Sequence, residues 1–284
     1  MNGTAVKRTG RKKRLILLAA LAALVLLLVF ALDSRLAVRT YTLETGEVTA
    51  PVRLAVVTDL HSCAYGEEQE ELVSAVLNLD PQPDGVLLVG DIVDDQLPEE
   101  NAWTAVSRLA EFYCCFYVTG NHEWWSGEAE RICREMERLG VAVLRGQSVS
   151  LSTSQGQTVA LCGIDDPDSG AEGQLEQVGS GVNANTFTVL MAHRPEMIDE
   201  YRTYPFDLVV SGHAHGGQFR IPGILNGLYA PNQGFFPKYA GGCYEDVPSG
   251  QIRIVGRGVS HYWILPRVCN PPELVCIELK GAPA

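Results

Sequence analysis

The chain has 284 residues and a formal net charge of −12, from 34 acidic and 22 basic side chains. With an N-terminal segment set aside, the remaining length fits one α/β domain of about 250 residues, whose core needs no disulfides for stability. Six of the basic residues lie in the first 14 positions, so the rest of the chain is strongly acidic. We therefore exclude nucleic-acid binding for the domain as a whole and expect no nucleic-acid partner.

Residues Leu15 to Leu32 are 18 consecutive positions without a charged or polar side chain. At about 1.5 Å per residue, a helix of this length reaches across the hydrocarbon core of a bilayer. A cleaved signal peptide is the alternative, but the apolar run exceeds a usual signal core and no clear cleavage site follows it. Because a basic flank stays in the cytoplasm, we predict a single-pass protein of the cell membrane with four parts: a basic cytoplasmic tail (1–14), a transmembrane signal-anchor (15–32), a polar connector (33–50) and an extracytoplasmic domain (51–284).

From Val52 onward, short apolar runs typical of buried strands alternate with apolar residues at helical spacing. The first strands are predicted at Val52–Val57, Val86–Val89 and Phe116–Val118, and the helices between and after them contain Leu72 and Val76, Trp103 and Val106, and Ile132 and Met136. After Gly140 the chain is rich in strands, predicted at Val141–Leu144, Val149–Leu151, Thr158–Cys162, Phe187–Met191, Leu208–Val210 and Glu273–Leu279. This order predicts an α/β fold with mixed sheets rather than a purely parallel, doubly wound one.

Eight cysteines bear on the compartment of the domain. An exported domain meets an oxidising environment in which cysteines tend to pair. Several of them, such as Cys115 and Cys162, lie in apolar strand-like runs, where a free thiol behaves as a small hydrophobic group. No C-x-x-C pair occurs, so neither a zinc knuckle nor a thioredoxin-like redox motif is indicated. We predict buried free thiols, with one or two disulfides as the alternative.

Five of the six histidines lie in short polar motifs that directly follow apolar runs. The motifs are Thr58-Asp59-Leu60-His61, Gly120-Asn121-His122-Glu123, Ala192-His193 and Gly212-His213-Ala214-His215, and Gly90-Asp91-Ile92-Val93-Asp94 ends a further strand. Each motif alone is commonly a polar turn or the start of a helix. Their joint occurrence at five strand ends indicates a site assembled by folding. Imidazole, carboxylate and amide oxygen are ligands of hard or borderline divalent metals, so the pattern points to metal-assisted hydrolysis.

In their order, these motifs resemble the motif set of the calcineurin-like metallophosphoesterases, over roughly residues 50–279. Later segments are similar to a bacterial membrane-associated phosphodiesterase branch, which includes relatives of UDP-diacylglucosamine pyrophosphohydrolases and other phospholipid-directed phosphodiesterases: Gly216-Gly217-Gln218, residues 233–239 and Asn270-Pro271-Pro272-Glu273. The resemblance implies a four-layer α/β/β/α sandwich of two mixed sheets, with a dinuclear metal site at one edge of the sheets.

The resemblance also implies the metal ligands and the roles around them. One divalent ion would bind Asp59, His61 and His215, the other would bind Asn121, His193 and His213, and Asp91 would bridge the two. His122 matches a residue that contacts the phosphate and protonates the leaving group as a general acid, and Asp94 matches a residue that orients this imidazole. The two ions (Mn, Zn or Fe) would supply a metal-bridging hydroxide that attacks phosphorus.

Two departures from other branches narrow the expected substrate. Purple acid phosphatases carry a tyrosinate ligand where Asp94 stands, so a coloured ferric site is not expected. At the position of Asp95, protein Ser/Thr phosphatases carry an arginine that binds a phosphate monoester. An acid at this position disfavours the binding of a monoester dianion. We therefore expect hydrolysis of a phosphodiester or pyrophosphate bond, in a lipid or cell-envelope substrate because of the anchor. The alternatives are a phosphodiesterase of soluble nucleotides and a non-catalytic metal-binding interaction platform.

Overall fold

A computed structural model describes residues 3–246, 249–261 and 266–282 of the chain. Residues 1–2 of the predicted basic tail and residues 283–284 lie outside the described residues. Within the described part, the α-helices are α1 (Gly3–Ala31), α2 (Glu70–Leu77), α3 (Glu100–Phe112), α4 (Asn121–Trp125), α5 (Ala129–Arg138), α6 (Gln174–Ser180) and α7 (Ile198–Tyr201). The strands are β1 (Ala37–Thr45), β2 (Val52–Val57), β3 (Gly85–Val89), β4 (Cys115–Val118), β5 (Ala142–Val143), β6 (Gln147–Ser152), β7 (Thr158–Gly163), β8 (Thr188–Met191), β9 (Leu208–Ser211), β10 (Tyr229–Ala230), β11 (Gly234–Phe235), β12 (Gly242–Glu245), β13 (Ile252–Val255) and β14 (Glu273–Gly281).

Two sheets, each of six strands in the described part of the chain, form the centre of the domain. Their strand orders are β1-β14-β2-β3-β4-β5 and β12-β13-β9-β8-β7-β6. In the first sheet β2 to β5 run parallel, whereas β14 is antiparallel to β2. In the second sheet β7, β8, β9 and β13 run parallel, and β6 and β12 are antiparallel edge strands. The predicted α/β fold with mixed sheets is confirmed.

The two sheets pack face to face, and helices cover their outer faces. Because successive side chains of a strand point to opposite faces, each central strand contributes to two cores. In β2, Leu54 packs between the sheets with Val189 of β8, while Ala55 faces the layer of α2, α3 and α5. In the same way Leu190 of β8 packs against α6 and α7. Burial on both faces fixes the register of these strands and gives the layer order α/β/β/α.

Residues 37–45 differ from the predicted connector, because they form β1. This strand pairs in parallel with β14 over its whole length, from Ala37 opposite Glu273 to Thr45 opposite Gly281. Among its side chains only Leu43 is buried, so the sequence has the polar character of a linker. Backbone hydrogen bonds to a partner more than 200 residues away hold the strand, and a local pattern contains no signal for such a partner.

Helix α1 stands apart from the domain core. Its stretch Lys12–Ala31 is long and apolar enough to cross a membrane, and a signal sequence has the same properties. Most of its large apolar side chains are exposed, such as Leu17 and Leu26 at 70%, so it is not a buried core helix. Its last residue is tied to the domain, since the Cys269 N–H donates to the Ala31 carbonyl oxygen at 2.6 Å.

All eight cysteines lie in the described residues, and Cys115, Cys133, Cys162 and Cys276 among them are free thiols. Five of the eight are buried: Cys63, Cys115, Cys133, Cys162 and Cys276. Burial raises the pKa of both Cys115 and Cys133 to about 12, which keeps these thiols protonated and unreactive. They act as small core side chains, in agreement with the predicted free thiols.

The fold brings the polar motifs together at one edge of the sandwich. Asp59 follows β2, Asp91 follows β3 and Asn121 begins α4 directly after β4, all in the first sheet. His193 and His213 follow β8 and β9 in the second sheet. Parallel strands carry their carboxyl ends to the same edge of a sheet, which is where α/β proteins place their sites. Since the sheets face each other, the two sets of side chains meet across the layer boundary.

Candidate metal centre and catalytic cleft

Two clusters of side chains that suit metal ions lie side by side at this edge. Asp59, His61 and His215 form one cluster, and Asp91, His193 and His213 form the other; within each, the candidate ligand atoms lie within 4.8 Å of one another. Asp91 belongs to both neighbourhoods, because its Oδ2 lies 3.1 Å from His193 Nε2 and 3.7 Å from His61 Nε2. The remaining predicted ligand, Asn121, is buried and directly precedes His122, whose N–H donates to Asp91 Oδ1 at 2.9 Å.

Two buried oxygen atoms indicate that these residues fit a cation. Asp59 Oδ2 and Asn121 Oδ1 have no hydrogen-bond partner among the described residues. A buried polar atom without a partner costs about 1–3 kcal/mol, and a bound cation would remove this cost. The donor set combines imidazole nitrogens with carboxylate and amide oxygens, which Mn, Zn and Fe accept. The residues therefore fit two divalent ions.

The backbone at the site is strained. Five of the predicted ligands adopt left-handed φ angles, which side chains other than glycine rarely take: Asp59 (51°), His61 (48°), Asp91 (52°), His213 (66°) and His215 (47°). Each such residue costs about 1–3 kcal/mol and persists only where surrounding structure holds it. Here the Asp59 N–H donates to the Gly90 carbonyl oxygen (3.0 Å) and the His61 N–H donates to that of Asp91 (2.9 Å). The strained loops after β2 and β3 thus support each other.

Three of the imidazoles have their outer nitrogen fixed by an oxygen acceptor. His61 Nδ1 lies 3.0 Å from Asp94 Oδ2, His193 Nδ1 lies 2.9 Å from the Val89 carbonyl oxygen, and His213 Nε2 lies 2.8 Å from Asn232 Oδ1. Such contacts set the tautomer and the ring orientation of a metal-binding histidine. In His61 and His193 the other ring nitrogen, Nε2, faces the Asp91 carboxylate.

His122 has a different carboxylate partner from the one that the resemblance implied. Its Nδ1 lies 2.6 Å from Asp95 Oδ1, whereas Asp94 Oδ2 is 3.5 Å away. Asp94 Oδ1 accepts the N–H groups of Gln96 and Leu97, both at 2.9 Å. These two hydrogen bonds turn Asp94 toward His61. Asp94 thus makes its closest imidazole contact with His61, and Asp95 makes the short contact to His122.

A cleft of about 330 Å³ opens beside the clusters, and its lining includes His61, His122, His215 and Arg267. Arg267 was not identified from the sequence. Its guanidinium donates to the Arg257 carbonyl oxygen (2.6 Å) and to Ser260 Oγ (3.2 Å). It places a positive charge in the cleft beside the candidate metal ligands. No local sequence signal marks this arginine, because it lies in a loop that precedes β14.

Comparison with known proteins agrees with this geometry. The model of the family described as calcineurin-like phosphoesterase matches residues 52–217. The chain belongs to the calcineurin-like phosphoesterase family. An uncharacterized metallophosphoesterase of Aquifex aeolicus is 28% identical over 260 residues, which cover 87% of this chain and 92% of that protein. Phosphodiesterase YaeI of Escherichia coli is 29% identical over 235 residues, which cover 81% and 83% respectively.

A third relative is a Bos taurus protein described as a transmembrane protein with metallophosphoesterase domain. It is 24% identical over 304 residues, which cover 99% of this chain and 66% of that protein. Family membership confirms the resemblance seen in the motifs. This calcineurin-like phosphoesterase is a metal-dependent phosphoester hydrolase, and its two clusters of candidate ligands agree with the dinuclear centre of the family.

A second group of residues that was not identified from the sequence supports the phosphoesterase site, and Arg194 lies at its centre. Arg194, directly after His193, donates to both carboxylate oxygens of Asp166, at 2.6 and 2.9 Å. It also donates to Asp168 Oδ2 (3.0 Å) and to Asn232 Oδ1 (2.9 Å), the same oxygen that His213 contacts. This buried ion-pair network couples the loop after β8 to the segment that contains Asn232. The network therefore fixes the candidate ligands His193 and His213 relative to each other.

Buried charges give the histidines different protonation. Burial lowers the pKa of His193, but the neighbouring Asp91 and Asp59 carboxylates outweigh it and raise this pKa to about 10. Burial lowers the pKa of His213 to about 4 and that of His215 to about 3. Without a cation, the clustered acids thus retain a proton on His193. Since a metal binds neutral imidazole, a cation at this position would displace that proton.

Glu123 joins two loops of the site through its buried carboxylate. Oε1 accepts the N–H groups of Ile92 (2.8 Å) and Val93 (3.0 Å), and Oε2 accepts those of Asp91 (3.0 Å) and Gly120 (2.8 Å). Burial and the nearby Asp91 carboxylate raise the pKa of Glu123 to about 7, while the four donors favour its ionised form. The motif Gly120-Asn121-His122-Glu123 contained this residue, but the sequence did not reveal that it holds Asp91 in place.

We expect Glu123→Gln to lower the free energy of unfolding by roughly 2–3 kcal/mol, because the amide NH₂ would face backbone donors and leave them unsatisfied. Urea titration of the full chain in mild detergent measures the change. Glu111→Gln is the matched control, since Glu111 is exposed near the end of α3, and its stability should stay unchanged. Equal stability of the two variants would contradict the role assigned to Glu123.

Proposed function

We propose that this phosphoesterase is anchored in the cell membrane by α1, with its domain outside the cytoplasm, and hydrolyses a phosphodiester or pyrophosphate bond. The observation that carries the proposal is the position of Asp91 between the two histidine clusters. One divalent ion would bind Asp59, His61 and His215, the other would bind Asn121, His193 and His213, and Asp91 would contact both. Such a pair of ions supplies an activated water nucleophile and stabilises the charge on the phosphoryl oxygens.

The charges of the site favour a phosphate group. Two divalent cations bound by two carboxylates leave a formal excess of about +2, because neutral imidazole and the Asn121 amide add no charge. Arg267 adds a further positive charge in the same cleft. A guanidinium pairs well with phosphate oxygens. We infer that Arg267 contacts an oxygen of the substrate phosphate, in place of the cation that Ser/Thr phosphatases carry where Asp95 stands.

His122 is positioned to act as the general acid. It lines the cleft, and its Nδ1 is held by Asp95 at 2.6 Å. This contact leaves Nε2 as the nitrogen that donates a proton to the leaving-group oxygen as the P–O bond breaks. Asp95 is then the positioning residue for His122, and Asp94 acts on His61.

Support for a lipid or cell-envelope substrate comes from α1, which would hold the cleft near a bilayer. The related YaeI protein is described as a phosphodiesterase, which agrees with a diester as the substrate bond. A soluble nucleotide diester is the second candidate, because a membrane anchor can equally tether an enzyme that acts on dissolved substrates.

The metal assignment is tested with bis-p-nitrophenyl phosphate and added manganese. We expect the wild type to bind two equivalents of manganese and to hydrolyse this diester. Asp91→Asn should bind less metal and lose about three orders of magnitude in rate, since several kcal/mol of transition-state stabilisation would be lost. Asp199→Asn, at an exposed position of α7, should change neither value. A wild type that binds two equivalents without hydrolysis would favour the interaction platform instead.

The roles of the two adjacent acids are separated by the leaving group. We expect His122→Ala and Asp95→Asn to slow hydrolysis of an alkyl phosphodiester by about 10²–10⁴-fold, because its alkoxide must be protonated. The rate of hydrolysis of the p-nitrophenyl diester should fall much less, since p-nitrophenolate leaves without a proton. Asp94→Asn should instead weaken manganese binding by about 10–100-fold, as expected for a group that orients a ligand. Steady-state rates and manganese titrations measure both effects, and identical profiles for Asp94→Asn and Asp95→Asn would contradict this division.

The substrate class is tested with the full chain in detergent micelles. We expect faster turnover of glycerophospholipid or lipid-pyrophosphate substrates than of cyclic nucleotides, measured as product release at equal substrate concentration. The Asp91→Asn variant is the control for contaminating hydrolases. Negligible lipid turnover beside fast nucleotide turnover would replace the lipid proposal with the nucleotide one.

A further inference from the structure

Residues 219–236, which we call the aromatic loop, expose an unusual number of large apolar side chains. Ile224 is 83% exposed, Phe235 71% and Phe236 69%, and Phe219, Ile221 and Tyr229 are also exposed. Single exposed apolar residues are common on soluble proteins. The rings of Tyr229, Phe235 and Phe236 are instead neighbours, and a contiguous apolar patch marks a surface that contacts another protein or a membrane. None of these side chains belongs to the metal centre.

The aromatic loop is ordered, so its apolar exposure is part of the fold. Strands β10 and β11 pair within it, and the rings of Tyr229 and Phe235 pack edge to face at 5.4 Å. The Phe236 N–H donates to the Leu228 carbonyl oxygen (2.8 Å), and the Leu228 N–H donates to that of Gly217 (2.9 Å). This backbone holds Phe235 and Phe236 at the surface of the domain.

The base of the aromatic loop lies beside the end of α1. The Arg220 N–H donates to the Val268 carbonyl oxygen at 2.9 Å. Cys269, which follows Val268, donates its N–H to the carbonyl oxygen of Ala31. Ala31 is the last residue of the apolar helix. A bilayer that surrounds α1 therefore has its surface at the level of this contact, next to the aromatic loop.

The charge around the aromatic loop differs from that of the rest of the chain. Residues 208–244 contain no aspartate or glutamate, although the chain as a whole has 34 of them. The same segment contains Arg220 and the exposed Lys238, which lies two residues after Phe236. Cations beside aromatic side chains suit the surface of a membrane with anionic phospholipids, and an acidic surface would be repelled from it.

We propose that the aromatic loop inserts Ile224, Phe235 and Phe236 into the headgroup region of the leaflet from which α1 emerges. The occupant of this patch is thus an anionic phospholipid surface, rather than a second copy of the chain or another protein. Gln218, directly before the loop, lines the catalytic cleft. Insertion of the loop therefore holds the mouth of the cleft at headgroup level. The inference rests on the proposed anchoring by α1, and it requires no particular substrate.

Quenching of tryptophan by brominated lipid tests the insertion without any reaction. The full chain is reconstituted into vesicles of phosphatidylcholine with a minority of phosphatidylglycerol, brominated near the carbonyl end of one acyl chain. The variants are Phe235→Trp, Phe236→Trp, Leu24→Trp within α1 and Phe112→Trp, an exposed position at the end of α3. The emission of each added tryptophan is obtained by subtraction of the wild-type signal.

We expect brominated lipid to reduce the added emission of Phe235→Trp, Phe236→Trp and Leu24→Trp, and to leave that of Phe112→Trp unchanged. Quenching at Leu24→Trp alone would overturn the inference while leaving the anchor intact. No quenching at any position would overturn both, and the diester hydrolysis assay would still report on the metal centre. Protection of Phe236→Trp that depends on protein concentration rather than on lipid would assign the patch to a second copy and overturn the inference.

Discussion

The Asp91 carboxylate lies between two groups of imidazoles, and the position of the surrounding loops depends on it. One oxygen faces His193 and His61, and the other accepts the His122 N–H. No side chain fits at Gly120, where a Cβ would lie 2.2 Å from Asp91 Oδ1. The loops that follow β3 and β4 in the first sheet therefore approach one another closely. Glu123 provides the remaining restraint, because its four backbone hydrogen bonds join the loop that contains Asp91 to the start of α4.

This arrangement is costly in free energy, and the sandwich offsets the cost. Left-handed residues such as Asp59 and His215, together with buried carboxylates, destabilise the site when it is considered alone. The loops are nevertheless short extensions of strands that are buried on both faces, with Leu54 and Val189 between the sheets and Ala55 and Leu190 against the helices. Each fully buried aliphatic side chain contributes about 1.5–3 kcal/mol. The strands are thus rigid enough to hold strained loops in one arrangement.

The C-terminal part of the chain connects the catalytic cleft to the side of the domain that contacts the end of α1. The segment before β14 contributes Ser260 and Arg267 to the lining of the cleft. The same segment contacts the end of α1 through Cys269 and the aromatic loop through Val268. This segment therefore lines the cleft and contacts both the end of the apolar helix and the base of the aromatic loop. This connection gives a physical reason why the position of the helix and access to the cleft are linked in the proposed function.

The apolar helix, the alternation of strands and helices, and the motif residues at the strand ends could all be predicted from the sequence, because each depends on local periodicity or on residues adjacent along the chain. Three features became visible only in the folded chain: residues 37–45 form a strand, Asp95 rather than Asp94 makes the short contact to His122, and Arg267 lies in the cleft. Each of these depends on a partner distant in the chain or on the direction in which a loop turns a side chain. Asp94 and Asp95 are chemically identical neighbours in the sequence. Only the hydrogen bonds of the folded loop direct Asp94 toward His61 and Asp95 toward His122.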